Sequence, residues 1–203
     1  MQEAGAERRA SFANMFARVI DGPRLRLRPF VDSDLEDVIA YASDPSWAQY
    51  LPVPLPYTRV HARGYLSTHR ARNWKLNPVW ACELDGRVVG GIDLSVDDAG
   101  HRASIGYSIA RRVWGRGLAS EAASIVVDHA FTRSPTLVRI FAECDIENVG
   151  SWRVMEKIGM RREGVLRSHG RVRNHLYDEA MYAILRAEWE ALRDSRPARS
   201  TGG

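Results

Sequence analysis

From residue 24 to residue 30 the chain reads RLRLRPF, basic and apolar in turn, the period-two pattern of a half-buried strand. Beyond Asp32 the period changes. Leu35, Val38, Ile39 and Ala42 recur at helical spacing, Asp32 is placed to cap that helix, and Asp44-Pro45 ends it. Three prolines in residues 51–57 (LPVPLPY) exclude a regular helix or a central strand and predict an extended or turn segment. A second helix is predicted over 60–72. The period then returns to two, with strands over 79–84 and 87–94 flanking Asp85-Gly86, the turn chemistry of a tight hairpin. A second turn at 97–100 leads to a strand over 104–110. Residues 118–131, rich in Ala and aliphatics, predict a helix, 138–145 (VRIFAECD) a strand, and 148–158 a short helix closed by Gly159. Strands over 160–167 and 175–185 and a helix over 186–192 complete the domain.

This order is strand, two helices, three antiparallel strands, helix, strand, helix, two strands. It predicts a mixed α/β (α+β) domain with one crossover in the middle, without the strict alternation of a doubly wound sheet. No internal repeat or low-complexity stretch interrupts it. The domain is expected over 23–192, preceded by a flexible extension (1–22) and followed by a disordered tail (193–203).

Composition narrows the class. The chain has 203 residues, 45% hydrophobic and 27% charged, which suits one soluble globular domain. No apolar run approaches the roughly 18 residues of a membrane span. The first 22 residues lack an uninterrupted apolar core, and Glu3, Glu7 and Asp21 argue against a targeting peptide. Cys82 and Cys144 lie in strand-like runs with no Cys or His nearby at metal-ligand spacing. They read as buried thiols in a reducing compartment, so a cytoplasmic location and no bound metal are expected. The net charge of +4, with arginines gathered at 111–116 and 161–173, suits an anionic cofactor as well as a nucleic acid. No zinc module, aromatic RNA-binding pattern or unbroken basic run favours the second.

The chemistry concentrates in residues 104–122, SIGYSIARRVWGRGLASEA. A predicted strand runs into a basic, glycine-bearing turn and then into a helix near Leu118. Gly115 and Gly117 let backbone approach a ligand with no Cβ in the way. The first turn of a helix offers unpaired N–H donors and partial positive charge, a site for an anion such as a pyrophosphate. Arg111, Arg112 and Arg116 add positive potential. Strand–turn–helix junctions also carry glycines for geometry alone. A dinucleotide fingerprint would need Gly or Ala where Ser120 stands, and a phosphate-binding NTPase loop would need Gly-Lys-Ser/Thr, which is absent.

The run Trp114-Gly115-Arg116-Gly117-Leu118-Ala119 resembles the acetyl-CoA-binding motif of GNAT acetyltransferases, Gln/Arg-x-x-Gly-x-Gly/Ala. Trp114 stands in the Gln/Arg place, as in the branch of ribosomal-protein N-terminal acetyltransferases of RimJ/RimL type, and Val113 stands where that branch has Tyr. Downstream, Glu147-Asn148-Val149-Gly150-Ser151 and residues 153–160 (RVMEKIGM) are similar to the family's Glu-Asn-x-x-Ser…Val-x-Glu-Lys-x-Gly-Phe block, with Met160 in the Phe place. The opening RLRLRPFVDSDLEDV is also typical of the branch. The resemblance runs from about residue 25 to residue 185.

The resemblance implies a mostly antiparallel sheet with a splayed parallel strand pair, here 104–110 and 138–145, flanked by helices. Acetyl-CoA would lie in that gap as acyl donor. Backbone groups near Ile109 would hold the pantetheine arm, and N–H groups from Trp114 through Gly115, Arg116, Gly117 and Leu118 to Ala119 the pyrophosphate. Arg116 is either a further contact or a solvated surface residue. Asn148 would touch the pantetheine arm, in competition with capping its own helix. Ser151 would protonate the departing thiolate, or is a helix-start hydroxyl. A thiol with a pKa of about 8.5 leaves with modest help.

Transfer would be direct, the amine attacking the thioester with no covalent enzyme intermediate. For the base that takes the amine's proton, Glu83, Glu143, Asp145 and Asp178 are all candidates. Tyr107, Tyr177 and Tyr182 read as packing residues. Trp47, Tyr50 and residues 51–57 are placed to wall the acceptor pocket or to pack in the core. The acceptor is a protein N-terminal α-amine or a small amine, the acidic residues within 93–98 hinting at a cationic one. A homodimer is compatible with this architecture. A non-catalytic module that binds acyl-CoA or a partner is the alternative.

Overall fold

The computed structural model describes residues 15–195. Its frame is one eight-stranded sheet. The elements, in order, are β1 (Ile20–Asp21), β2 (Arg26–Arg28), α1 (Leu35–Ala42), α2 (Pro45–Ala48), α3 (Arg59–Arg70), β3 (Val79–Leu84), β4 (Arg87–Val96), β5 (Arg102–Ile109), α4 (Leu118–Arg133), β6 (Arg139–Asp145), α5 (Val149–Lys157), β7 (Arg161–Val172), β8 (His175–Leu185) and α6 (Arg186–Ser195). The strand order is β1-β2-β3-β4-β5-β6-β8-β7, antiparallel throughout except at β5–β6. This is the mixed, mostly antiparallel architecture the sequence implies.

The parallel pair touches at one end only. β5 and β6 are in register at Arg102–Arg139, Ala103–Ile140 and Ser104–Phe141, and no further. Beyond Ser104 and Phe141 the strands diverge, although β5 stays laddered to β4 as far as Ile109 and β6 to β8 as far as Asp145. Two strand edges therefore face a gap in the middle of the sheet, and their inward N–H and C=O groups have no strand partner.

The two faces of the sheet are distinguishable from side-chain contacts. A Cβ at Gly91 would meet Phe30 and the Tyr65 hydroxyl of α3, and Asp93, two residues on, lies against Arg72 just past α3. Asp93 pairs with Gly106, which shares that face. The next residue, Tyr107, points the other way and bonds α5. So α3 and α5 cover opposite faces. Tyr182, opposite Ala142, reaches Glu156 of α5, which puts Cys144 on the α5 face and Glu143 and Asp145 on the α3 face. Trp80, Leu27, Leu94, Ile140 and Ile184 are among the fully buried core side chains.

Several elements differ from expectation. The 24–30 strand is shorter, ended by Pro29. Asp32 does not cap α1: residues Asp32–Asp34 form a 3₁₀ turn, and the buried Asp34 carboxylate takes the Val31 N–H and the Arg28 guanidinium. Asp44-Pro45 ends α1 and also starts α2, with Asp44 accepting from the Ser46 N–H and proline in the first turn. β7 runs five residues past the expected end at 167, through a bulge between Leu166 and Gly170. Its outer residues are charged and exposed, so no apolar alternation marks it. α6 continues to Ser195, past the expected domain end at 192.

Residues 15–22, expected in the flexible extension, are part of the domain. Phe16 is buried, the indoles of Trp74 and Trp80 donate to the Phe16 and Ala17 carbonyls, and β1 pairs with β2. The rest of the extension (1–14) and of the tail (196–203) lies outside the described residues. Among the described residues, no helix is long and apolar enough to cross a membrane.

Candidate active site

The gap between β5 and β6 opens into a cavity of about 620 Å³. Its floor comes from β5 (Tyr107 to Ile109), one wall from the turn into α4, and the facing wall from α5. Ile109, Trp114, Gly115, Gly117, Leu118 and Ala119 from one stretch and Asn148 and Ser151 from another all line this one cavity. Arg116 does not line it; its carbonyl accepts from the Arg24 guanidinium at 2.9 Å instead.

The turn is shaped by its glycines. Gly115 (φ 72°) and Gly117 (φ 75°) are both left-handed, a conformation that costs an L-residue about 1–2 kcal/mol. Gly117 is the N-cap of α4 and has no side chain to satisfy the first-turn N–H groups, which stay available to a ligand. The Trp114 indole N–H donates to the Ile109 carbonyl at 2.6 Å, tying the turn back onto the end of β5. Of the backbone groups expected to meet a cofactor, the Ile109 carbonyl is therefore already engaged.

The positive charge is not where the sequence reading put it. Arg111 is paired with Asp44 at 3.8 Å, and Arg112 reaches the Val88 carbonyl. Two α5 cations, Arg153 and Lys157, line the cavity instead. A Cβ at Gly117 would lie 3.6 Å from Lys157 Nζ and 3.8 Å from an Arg24 terminal nitrogen. Two cations thus flank the N-terminus of α4, one from α5 and one from the chain before β2. Arg24 is fixed by Glu121, which also accepts the N–H groups of Arg24 and Leu25. Burial opposes the Glu121 charge, but these donors win and hold its carboxyl below the ordinary range. The i, i+4 spacing of Arg153 and Lys157 is the available sequence signal, because it puts both on the helix face of Gly150.

At the other end of the cavity stands a hydroxyl pair. The Tyr107 hydroxyl donates to the Ser151 carbonyl at 2.9 Å and lies 3.2 Å from Ser151 Oγ. Burial pushes the Tyr107 phenol well up, so it stays protonated at any working pH. The sequence reading took Tyr107 for packing; the structure brings it to the same hydroxyl it nominated on α5. Asn148 Oδ1 caps α5 by accepting the Ser151 N–H at 3.1 Å, which realises the capping reading and leaves its NH₂ without a protein partner among the described residues. Cys144, on the same face, has its thiol pushed up to about 11 by burial, a poor nucleophile.

The candidate bases separate. Glu83 is ion-paired with Arg28, which also holds Asp34. Asp178 accepts the Ser168 N–H at 2.8 Å in the β7 bulge. Glu143 and Asp145 remain beside the gap, Glu143 with its carboxyl raised by burial and by the nearby Glu179 charge. Of the acidic residues at 93–98, two have partners within the protein: Asp93 faces Arg72, and Asp97 takes Arg102 and the His101 N–H. Trp47 packs against Tyr41 and also lines the cavity, as do Tyr50 and Leu51. Tyr177 and Tyr182 bond Glu179 and Glu156 at 3.4 Å each.

Comparison with known proteins agrees with this geometry. The family model "Acetyltransferase (GNAT) domain" matches residues 24–161. YnaD of Bacillus subtilis (strain 168), named as an uncharacterized N-acetyltransferase, is 34% identical over 166 residues, covering 82% of this chain and 96% of its own. Among solved structures, a GNAT-family acetyltransferase from Bacillus anthracis superposes with a TM-score of 0.74 at 33% identity, over 83% of this chain and 99% of that one. Mycobacterium smegmatis RimJ, solved in complex with CoA-disulfide, gives 0.73 at 25% identity over 86% and 94%. The split β5–β6 pair, the glycine turn at its mouth and these matches lead to one conclusion: the chain belongs to the GNAT acetyltransferase family and is an acetyl-CoA-dependent N-acetyltransferase.

Proposed function

We propose that the protein transfers the acetyl group of acetyl-CoA directly to a primary amine, a protein N-terminal α-amine or a small-molecule amine, with Ser151 and Tyr107 serving the departing thiolate. The observation that carries this reading is the hydroxyl pair at the inner end of a cavity whose outer end is a cation-flanked helix N-terminus. The RimJ neighbour, solved in complex with CoA-disulfide, supports a CoA-binding role for this fold.

The residues divide the work. N–H groups from Gly115 to Ala119, with Lys157 and Arg24 beside them, hold the pyrophosphate. The unpaired edges of β5 and β6 and the free amide NH₂ of Asn148 hold the pantetheine arm. An N–H on the β5 edge polarises the thioester carbonyl as the tetrahedral oxyanion forms. The C–N bond forms, the C–S bond breaks, and the thiolate takes a proton from Ser151 Oγ. Tyr107, 3.2 Å away and bonded to the Ser151 carbonyl, holds that hydroxyl in place, and Ser151 regains its proton from solvent. Holding both reactants in this geometry contributes several kcal/mol, of order 7–11 in the best intramolecular cases.

The test is Ser151→Ala and Tyr107→Phe, assayed by thiol release. Each single variant is expected to lose roughly tenfold in turnover and the double about a hundredfold or more, with acetyl-CoA affinity little changed. Full turnover in the double variant would refute the acid assignment.

A further inference from the structure

The ladder at the end of β5 fixes which backbone groups face the gap. The Ala110 N–H donates to the Val89 carbonyl at 2.7 Å, on the β4 side. Along an antiparallel strand, successive residues turn their N–H and C=O groups to opposite edges. Ile109, paired with Gly90 but next to Ala110, therefore points its own groups away from β4 and into the gap. Its carbonyl is one of the edge acceptors that an amide N–H of a pantetheine arm would use as a neighbouring strand does. That acceptor has a donor from the chain itself. The Trp114 indole N–H meets it at 2.6 Å, and Trp114 lines the same cavity as Ile109.

The indole is lightly held. Trp114 is 52% exposed, so displacing the ring gives up little buried apolar area. Among the described residues, the bond to Ile109 is the one polar contact of its side chain. Its two neighbours in sequence differ. Val113 is buried and anchors the turn, whereas Gly115 is left-handed (φ 72°) and a Cβ placed there would meet nothing within 4 Å. The turn thus has a fixed side and an open side, with Trp114 between them. A carbonyl oxygen has a second lone pair, but the bulk of the indole comes with its N–H and stands against the strand edge that the arm must follow.

We infer that Trp114 is a latch on the β5 edge: its indole holds the Ile109 carbonyl in the place of the pantetheine arm and swings out toward the open side of the turn when the arm pairs with β5. The inference rests on the reading of the gap as the acetyl-CoA site. It goes beyond that reading by making one side chain of the glycine turn oppose binding while the backbone of the same turn favours it. The exchange replaces one donor on Ile109 by another, so the arm gains less than a full hydrogen bond there. Acetyl-CoA and product CoA carry the same arm, and the latch weakens both by the same factor. A nucleotide without the arm is indifferent to it.

The experiment compares the full chain with Trp114→Phe, which keeps a ring and deletes the N–H, by calorimetric titration. The ligands are acetyl-CoA, CoA, acetyl-pantetheine and ADP, which carries a pyrophosphate but no arm. Trp114→Phe is expected to bind the first three about two- to tenfold more tightly, the worth of one protein hydrogen bond, and ADP as the wild type does. The wild-type minus Trp114→Phe difference in tryptophan emission should change on adding acetyl-CoA and stay fixed on adding ADP. A cooperative melt of Trp114→Phe shows that the variant is folded. Acetyl-CoA affinity equal to or weaker than that of the wild type, or Trp114 emission that saturating acetyl-CoA leaves unchanged, would overturn the latch and leave the acetyl-CoA site standing. No binding of acetyl-CoA to the wild type would overturn both.

Discussion

Lys157→Ala isolates the cationic flank of the α4 N-terminus. Lys157 Nζ lies beside Gly117 and has no hydrogen bond or ion pair within the protein among the described residues. Removing it therefore orphans no partner, and the apo protein should keep its stability to within about 0.5 kcal/mol. Acetyl-CoA should feel the loss. A charge-assisted hydrogen bond to a phosphate oxygen is worth about 1.5–3 kcal/mol, which is roughly ten- to a hundredfold in Kd. Arg24 stays on the other side of Gly117, so the lower end is expected. Calorimetric titration at low and at high salt reads this directly. The wild type should weaken more steeply with salt than the variant, because a screened contact has been lost. Acetyl-pantetheine, which lacks the pyrophosphate, is the control and should bind both proteins alike. Equal acetyl-CoA affinity in wild type and variant, or an equal loss of acetyl-pantetheine, would refute this placement of the pyrophosphate.

Three other perturbations follow from named contacts. Gly117→Glu forces an L-residue into a left-handed turn and sets a carboxylate against the anion site; calorimetry should show acetyl-CoA binding abolished, with a loss of stability of about 1–2 kcal/mol. Gly90→Ala would place a Cβ 2.1 Å from the Ser108 carbonyl oxygen, so the β4–β5 ladder must open; a thermal melt should fall by roughly 6–12 °C, for a cost of about 3 kcal/mol. Glu121→Ala removes a carboxylate whose folded pKa is depressed. Its stabilisation is present above the ordinary carboxylate pKa and is lost as pH falls through the depressed value, so the melting difference from wild type should be larger at pH 7 than at pH 3.

What the sequence made legible was local. The strand–turn–helix over 104–122 and the helix capped at Asn148 and closed by Gly159 are short-range patterns, and the fold uses both as read. What it hid was set by distant pairs. Tyr107 meets Ser151 across 44 residues, and Arg173 meets the end of α2 across more than 120. No periodicity reports such a contact. Arg111, Arg112 and Arg116 lie in the motif, yet the Arg111 and Arg112 guanidiniums turn to Asp44 and the Val88 carbonyl, and Lys157 arrives from another helix. The strand over 160–167 is legible, but its continuation to Val172 is not, because an edge strand with exposed residues on most positions has no buried face to print in the sequence. Phe16 is hidden for another reason: its ring packs by His129 and its carbonyl takes the Trp74 indole N–H, partners far along the chain that no local pattern reports.

The central claim is that the β5–β6 gap is an acetyl-CoA site, and a thermal melt of the full chain with and without acetyl-CoA tests it most directly. At ligand about 100-fold above Kd, binding should add about 2.7 kcal/mol, a rise of roughly 5–11 °C for a chain of this size, and Gly117→Glu should abolish it. A cooperative melt that acetyl-CoA does not move, or moves equally in Gly117→Glu, would contradict the account.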